Sequence, residues 1–190
     1  MNINANQLTT RTSSVPQPRP DRTPLQRHVD FFDRNSDGLT TMSETYQGLR
    51  ALGVGGFTSA LGAAGINLGL AHKTGSSWIT INNDNIHLAK HDSDSDVYDA
   101  QGNLDKAKFQ ELFDRFDTNK DGGFNKSEID SMLEIKAESK IGKIASGAEF
   151  GLLLKVAGQP NAAGENALSK ERMQSLYDGR LFYDLEKERA

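Results

Sequence analysis

The residues best equipped for chemistry in this chain are oxygen donors set at fixed intervals. In the run Asp33-Arg34-Asn35-Ser36-Asp37-Gly38-Leu39-Thr40-Thr41-Met42-Ser43-Glu44, the first, third and fifth places carry the side-chain oxygens of Asp33, Asn35 and Asp37. Gly38 follows, where the chain must turn sharply and a Cβ would be strained. Leu39 offers its carbonyl, Thr41 acts directly or through a water, and Glu44 brings two oxygens to the twelfth place. This is the register of an EF-hand calcium loop, in which carboxylates offset the charge of a hard, oxygen-seeking ion. The plainer reading, a solvated acidic turn, gives no reason for every position to match. The pattern returns at 117–128, with Asp117, Asn119, Asp121, the Gly123 carbonyl, Asn125 and Glu128 as ligands.

The second set of candidates is the histidines. The chain has no cysteine, which excludes disulfides and thiolate ligation and leaves softer metal chemistry to His28, His72, His87 and His91. His28 lies between Leu25 and Phe32 on the helix entering the first loop, and from its neighbours alone it reads as a hydrogen-bonded core residue. His87 and His91, four residues apart, share a helix face that can hold one metal. No Glu adjoins His87, so this is not the zinc-protease motif.

The elements that must position these groups read as mainly α. In a chain of 190 residues the expected architecture is an EF-hand pair interrupted by a long insert with a Gly-rich apolar segment. Residues 1–24, rich in Pro, Ser, Thr and Asn, read as a disordered arm. The domain spans 25–187. Its first hand covers 25–50, the apolar segment 51–71, a His-containing insert 72–105, the second hand 108–136 and C-terminal helices 138–187. The second entering helix presents Phe109, Leu112, Phe113 and Phe116 at helical spacing. The two loops are expected to pair through Thr40 and Phe124, with the first the weaker site because Thr40 is polar. Residues 51–71 carry no charge, and three readings stay open: a membrane-inserted span, a hairpin dipping into a lipid surface, or a buried pair of small-residue helices. The acidic run Asp92 to Asp96 imitates half a calcium loop and reads as a cap or solvated turn. A net charge of −4 without a basic patch excludes a nucleic-acid binder. The N-terminus shows no secretory signal pattern, so a cytoplasmic chain, or one peripheral to a lipid droplet or membrane, is expected.

Several short pieces occur in an order that resembles the caleosins, or plant seed peroxygenases. They are Leu25-Gln26-Arg27-His28, Phe31-Phe32-Asp33, Glu44 to Arg50, Ile66-Asn67-Leu68, Asn85-Ile86-His87, Lys90-His91, Tyr98-Asp99, Glu149, Leu168 to Glu171, and Asp178-Gly179 with Phe182. The resemblance covers roughly residues 25–185. It implies a calcium- and haem-binding enzyme that uses lipid hydroperoxides to oxygenate unsaturated lipids, with His28 and His91 tied to haem. His87 or the second histidine would shuttle a proton. Without cysteine, imidazole ligation of the iron is the compatible chemistry. The family's proline-rich knot is missing, since no proline lies between Pro24 and Pro160, whereas the second calcium loop, usually degenerate in plant members, is intact. The competing functional readings are a non-enzymatic calcium sensor or lipid-surface protein on the same scaffold, and a His87/His91 metal site unrelated to haem.

Overall fold

Apolar helix faces alternating with Asp- and Gly-rich loops fold into a series of helix–strand–helix units. The computed structural model describes residues 16–75, 77–89, 96–136 and 140–190, and these are mainly helical. The first unit is α1 (Pro24–Asp30), β1 (Leu39–Thr40) and α2 (Met42–Ala51). Thr23 starts α1 with a reciprocal capping box to Gln26, and Thr41 starts α2 in the same way with Glu44. The next unit is α3 (Gly56–Thr74), β2 (Ile81–Asn82) and a short 3-10 helix (Asn83–Ala89). The third is α4 (Lys106–Phe116), β3 (Gly123–Asn125) and α5 (Lys126–Lys136). The last comprises α6 (Lys140–Ala157), β4 (Gln159–Pro160), β5 (Asn166–Ser169) and α7 (Lys170–Tyr177), with α8 (Leu181–Arg189) closing the chain.

The pairing of these units corrects the expected EF-hand pair. The strands of the two Asp-rich loops do not meet. β1 runs antiparallel to β2, with Thr40 opposite Ile81, and β3 runs antiparallel to β5, with Phe124 opposite Leu168. Each loop therefore pairs with the helix–strand–helix unit that follows it in sequence. The physical reason is that each following segment supplies a buried apolar residue for the same strand position, Ile81 or Leu168. Closing the shorter loop also costs less entropy than reaching the distant hand. Of the expected insert, residues 72–75 and 77–89 thus belong to the partner of the first hand.

The apolar segment starts at the end of α2, turns at 52–55 and continues as the greater part of α3. Its inner face is small and partly polar: Ser59, Ala63, Asn67, Ala71 and Thr74 are buried at successive helical turns. Small side chains let α3 close onto α2, and the buried polar ones find local partners. Ser59 donates to the Val54 carbonyl, and Thr74 donates to the Ala71 carbonyl while accepting from the Asn82 amide. Among the described residues, no helix is long and apolar enough to cross a membrane.

Both halves share one apolar core. Phe31, Phe124, Met132, Leu168 and Met173 are fully buried in it. Arg27 donates through Nε and Nη2 to the Asp178 carbonyl, and the Tyr98 hydroxyl donates to the Tyr177 carbonyl. Ahead of α1, Arg19 and Arg22 pair with the buried Asp30, which also accepts from Asn83. His91 and most of the acidic run 92–96 lie outside the described residues.

Candidate functional site

The two Asp-rich loops have the same backbone. Ser36 and Gly38 take left-handed φ values of 62° and 85°, and Lys120 and Gly122, at the matching places, take 57° and 84°. The first acid folds each turn around itself. Asp33 accepts from the Asp37 amide at 3.1 Å and the Gly38 amide at 2.8 Å; Asp117 accepts from the Asp121 and Gly122 amides, both at 3.2 Å. Asn35 and Asn119 accept the same Asp37 and Asp121 amides. Burial holds the Asp33 carboxyl above the usual carboxylate range, opposed by those two amides, while the charges of Asp37 and Glu44 push it further up. A cation at the centre of the loop would relieve that repulsion.

The loops differ at the closing glutamate. Glu128 Oε1 accepts from the Thr118 amide at 2.8 Å and from the Thr118 hydroxyl, and its Oε2 accepts from the Asn125 amide. Glu44 Oε2 accepts from the amide and hydroxyl of Thr41, but its Oε1 is buried with no hydrogen-bond partner. The residues at the second loop position also differ. Thr118 turns back to Glu128, whereas Arg34 forms a two-pronged ion pair with Glu186 of α8 at 2.7 and 3.0 Å. An unpartnered buried carboxylate oxygen at the twelfth place is what a calcium ion would take up. Among the described residues no three Asp, Glu or His side chains converge on one point. The donor types and their order are those a calcium ion takes, while the closing oxygens that have partners are bonded to the chain itself. In this respect the donor set fits the ion.

Immediately before the first loop, His28 lines an apolar cavity of about 160 Å³. The walls come from α1, α2, α3 and the 3-10 helix on one side and from α6, α7 and α8 on the other, with Val29, Phe32, Leu49, Ile86, Leu153 and Phe182 among the lining residues. The His28 ring is half-buried and lies 4.7 Å from the Phe182 ring, tilted by 52°. Gly179 makes this approach of α1 to the α7–α8 corner feasible. It sits at φ 73°, and a Cβ there would be 2.3 Å from the Pro24 carbonyl oxygen and 2.8 Å from the His28 amide nitrogen. The Asp178-Gly179 and Phe182 pieces of the sequence therefore act on His28.

Imidazole is a ligand that haem iron takes, and an apolar wall suits a porphyrin face. His28 fits on donor chemistry. The cavity is of the size that holds a small aromatic molecule or a stretch of acyl chain. A porphyrin is larger, so haem ligation by His28 calls for the mouth beside this half-buried ring to widen. His87 lies on the 3-10 helix, half-buried and outside the lining of the cavity. His91 cannot be placed with it, falling outside the described residues. His72 is exposed and stacks on Trp78 with ring centroids 6.0 Å apart. Sequence reasoning assigned no role to Glu149, which stands in the cavity wall. Its signal was legible: it is the one acid of α6, set ahead of Leu152, Leu153 and Val156 at helical spacing.

The chain was compared with known proteins. The family model described as caleosin related protein matches residues 20–186. A protein of Lilium longiflorum named peroxygenase is 39% identical over 173 residues, covering 87% of this chain and 71% of the relative. An Arabidopsis thaliana protein named probable peroxygenase 4 is 40% identical over 173 residues, covering 87% of each chain. A third relative, also from Arabidopsis thaliana and named probable inactive peroxygenase-like protein, is 32% identical over 149 residues, covering 76% of this chain and 70% of the relative. No solved structure matches. The match over nearly the whole described domain, together with two relatives near 40% identity, places this chain in the caleosin family.

Proposed function

We propose that this chain is a calcium-binding haem peroxygenase that uses lipid hydroperoxides to oxygenate unsaturated lipids. One observation carries the reading: His28 forms part of an apolar cavity on the helix that runs directly into the first calcium-type loop. The peroxygenase names of the relatives support it. When bound, haem supplies the redox chemistry that splits an O–O bond and passes one oxygen atom to a double bond. In this reading His28 ligates the iron and Phe182 fixes the tilt of its ring. Leu49, Ile86 and Leu153 hold the acyl chain and keep water from the reacting bond. His91 is the second haem-linked histidine and His87 a proton carrier, as the family pattern implies. Calcium at Asp33, Asn35, Asp37, the Leu39 carbonyl, Thr41 and Glu44 fixes the end of α1, and the 117–128 loop takes a second ion. The lipid surface is met by the outer face of α3, where Phe57 is 80% exposed and Leu61 and Leu68 are also exposed, together with the exposed Trp78 and Ile79.

The test is reconstitution of the full chain with calcium and haem, followed by incubation with linoleic acid hydroperoxide. A Soret band and epoxide formation are expected, and both fall at least about tenfold in His28→Ala. A wild-type chain that takes up no haem is instead a calcium-binding module without this chemistry. Flotation with phospholipid vesicles tests the lipid face: Phe57→Asp with Leu61→Asp is expected to abolish it, and unchanged flotation moves the contact elsewhere.

A further inference from the structure

The second calcium-type loop is met by a hairpin from outside its twelve residues. β4 and β5 join at a tip, residues 161–165, that its own bonds hold in one shape. The Asn161 amide donates to the Glu165 carbonyl at 2.8 Å, the Gly164 amide donates to the Asn161 carbonyl at 2.9 Å, and Gly164 takes φ 79°. Asn161 Oδ1 accepts from the Ala163 and Glu165 amides at 3.0 and 2.8 Å, which leaves its Nδ2 to point away from the tip. That nitrogen donates to Asp121 Oδ2 at 2.6 Å, and Glu165 Oε2 accepts from Asn125 Nδ2 at 3.0 Å. The tip is thus bonded to the side chains at the fifth and ninth places of the loop.

Asn125 is held at both ends. Its Oδ1 accepts from the Glu128 amide at 3.0 Å, so its oxygen is engaged at the start of α5 while its nitrogen faces Glu165. An amide nitrogen is a donor and offers a hard cation nothing. The carboxylate beside the ninth place is that of Glu165, brought across from the hairpin. At the first loop the partner unit sends its polar side chains elsewhere: Asn83 bonds to Thr40 and Asp30, and Asp84 pairs with Arg22.

We propose that Glu165 is a fourth acid of the second calcium site, acting at its ninth place from the partner hairpin, and that Asn161 is a positioning residue that holds Asp121. The inference rests on the reading of 117–128 as a calcium site. Asp117, Asp121 and Glu128 are the acids at the ligand places within the loop. The number of charged groups tunes calcium affinity in such loops, and bonded neighbours orient the ligands themselves. The second site is therefore the tighter of the two, and part of its strength comes from a residue that its own loop does not contain.

Full-chain protein carrying Glu44→Gln, which leaves the second site to be read alone, is titrated calorimetrically with calcium and with lanthanum. It is compared with the same chain carrying Glu165→Gln, Glu165→Asp or Asn161→Ala. Glutamine still accepts from Asn125 but has no charge. Glu165→Gln is expected to weaken calcium about tenfold and the trivalent ion about thirtyfold, since the attraction grows with ionic charge. Glu165→Asp is expected to recover part of both losses, and Asn161→Ala to weaken each ion about threefold. In a chelator, the melting temperature of Glu165→Gln is expected to be no lower than that of its parent, because the change removes a like charge beside the acids of the loop. Unchanged calcium affinity in Glu165→Gln, or an equal loss for both ions with a lower melting temperature in chelator, overturns the assignment. A Glu44→Gln chain that takes up no calcium overturns the calcium reading of 117–128, and this assignment with it.

Discussion

Glu44 and Glu128 stand at the same place in two loops of one backbone, yet their carboxylates meet different neighbours. Glu128 is bonded across its loop by the Thr118 and Asn125 amides, whereas Glu44 keeps a buried oxygen without a partner, and Arg34 at the second place pairs with Glu186. This difference separates the two by experiment. In calcium-free protein, Glu128→Gln is expected to cost about 1.5–3 kcal/mol by weakening charge-assisted hydrogen bonds, and Glu44→Gln to cost little, as read by melting in a chelator. In calcium, wild type is expected to bind two ions and each variant one by calorimetric titration. Each site filled at 100 times its dissociation constant adds about 2.7 kcal/mol of stability. The common turn of the two loops was legible in the sequence, because Asp, Asn and Gly recur at the same places and the left-handed φ values fall at matching positions. The idle oxygen of Glu44 was not, since it depends on which hydrogen bonds form inside the folded loop.

Among the elements, α3 departs most from its composition. Its uncharged sequence suggested lipid or a helix pair, and its fold turns on one buried polar residue. Asn67 donates to the Thr40 carbonyl and the Ile79 carbonyl, both at 2.9 Å, and accepts from the Thr45 hydroxyl at 2.6 Å. A single side chain thus holds the strand of the first calcium loop, the approach to its partner strand and α2. Asn67→Leu leaves those groups buried and unpaired. It is expected to cost about 2–4 kcal/mol in a denaturant titration and to weaken calcium binding at the first loop without affecting the second. Helices such as α4 were readable from the spacing of Phe109, Leu112, Phe113 and Phe116, because burial of one face imposes a period. Two-residue strands impose none. β1 and β2 could be found only by the partner that each meets in space.

At the scale of the molecule, the cavity is formed where the first hand and its partner unit close against α6, α7 and α8. No local pattern announces such a space, because its walls are joined only when α1 docks on the corner at Gly179. The strand pairing has a consequence for how the protein would report its environment. In a conventional pair, filling one calcium loop pulls on the strand of the other, so the two sites fill together and respond over a narrow range of calcium. Here β1 is paired to β2 and β3 to β5, and among the described residues no strand joins the two loops. The coupling free energy between the sites is expected to be near zero. A calcium titration should therefore show a Hill coefficient no greater than about 1, and the first site should keep its affinity within about twofold in Glu128→Gln. A coefficient well above that would reveal a link through the shared core. Uncoupled sites of different strength would give a graded readout over a broad span of calcium concentrations, a dial in place of a threshold.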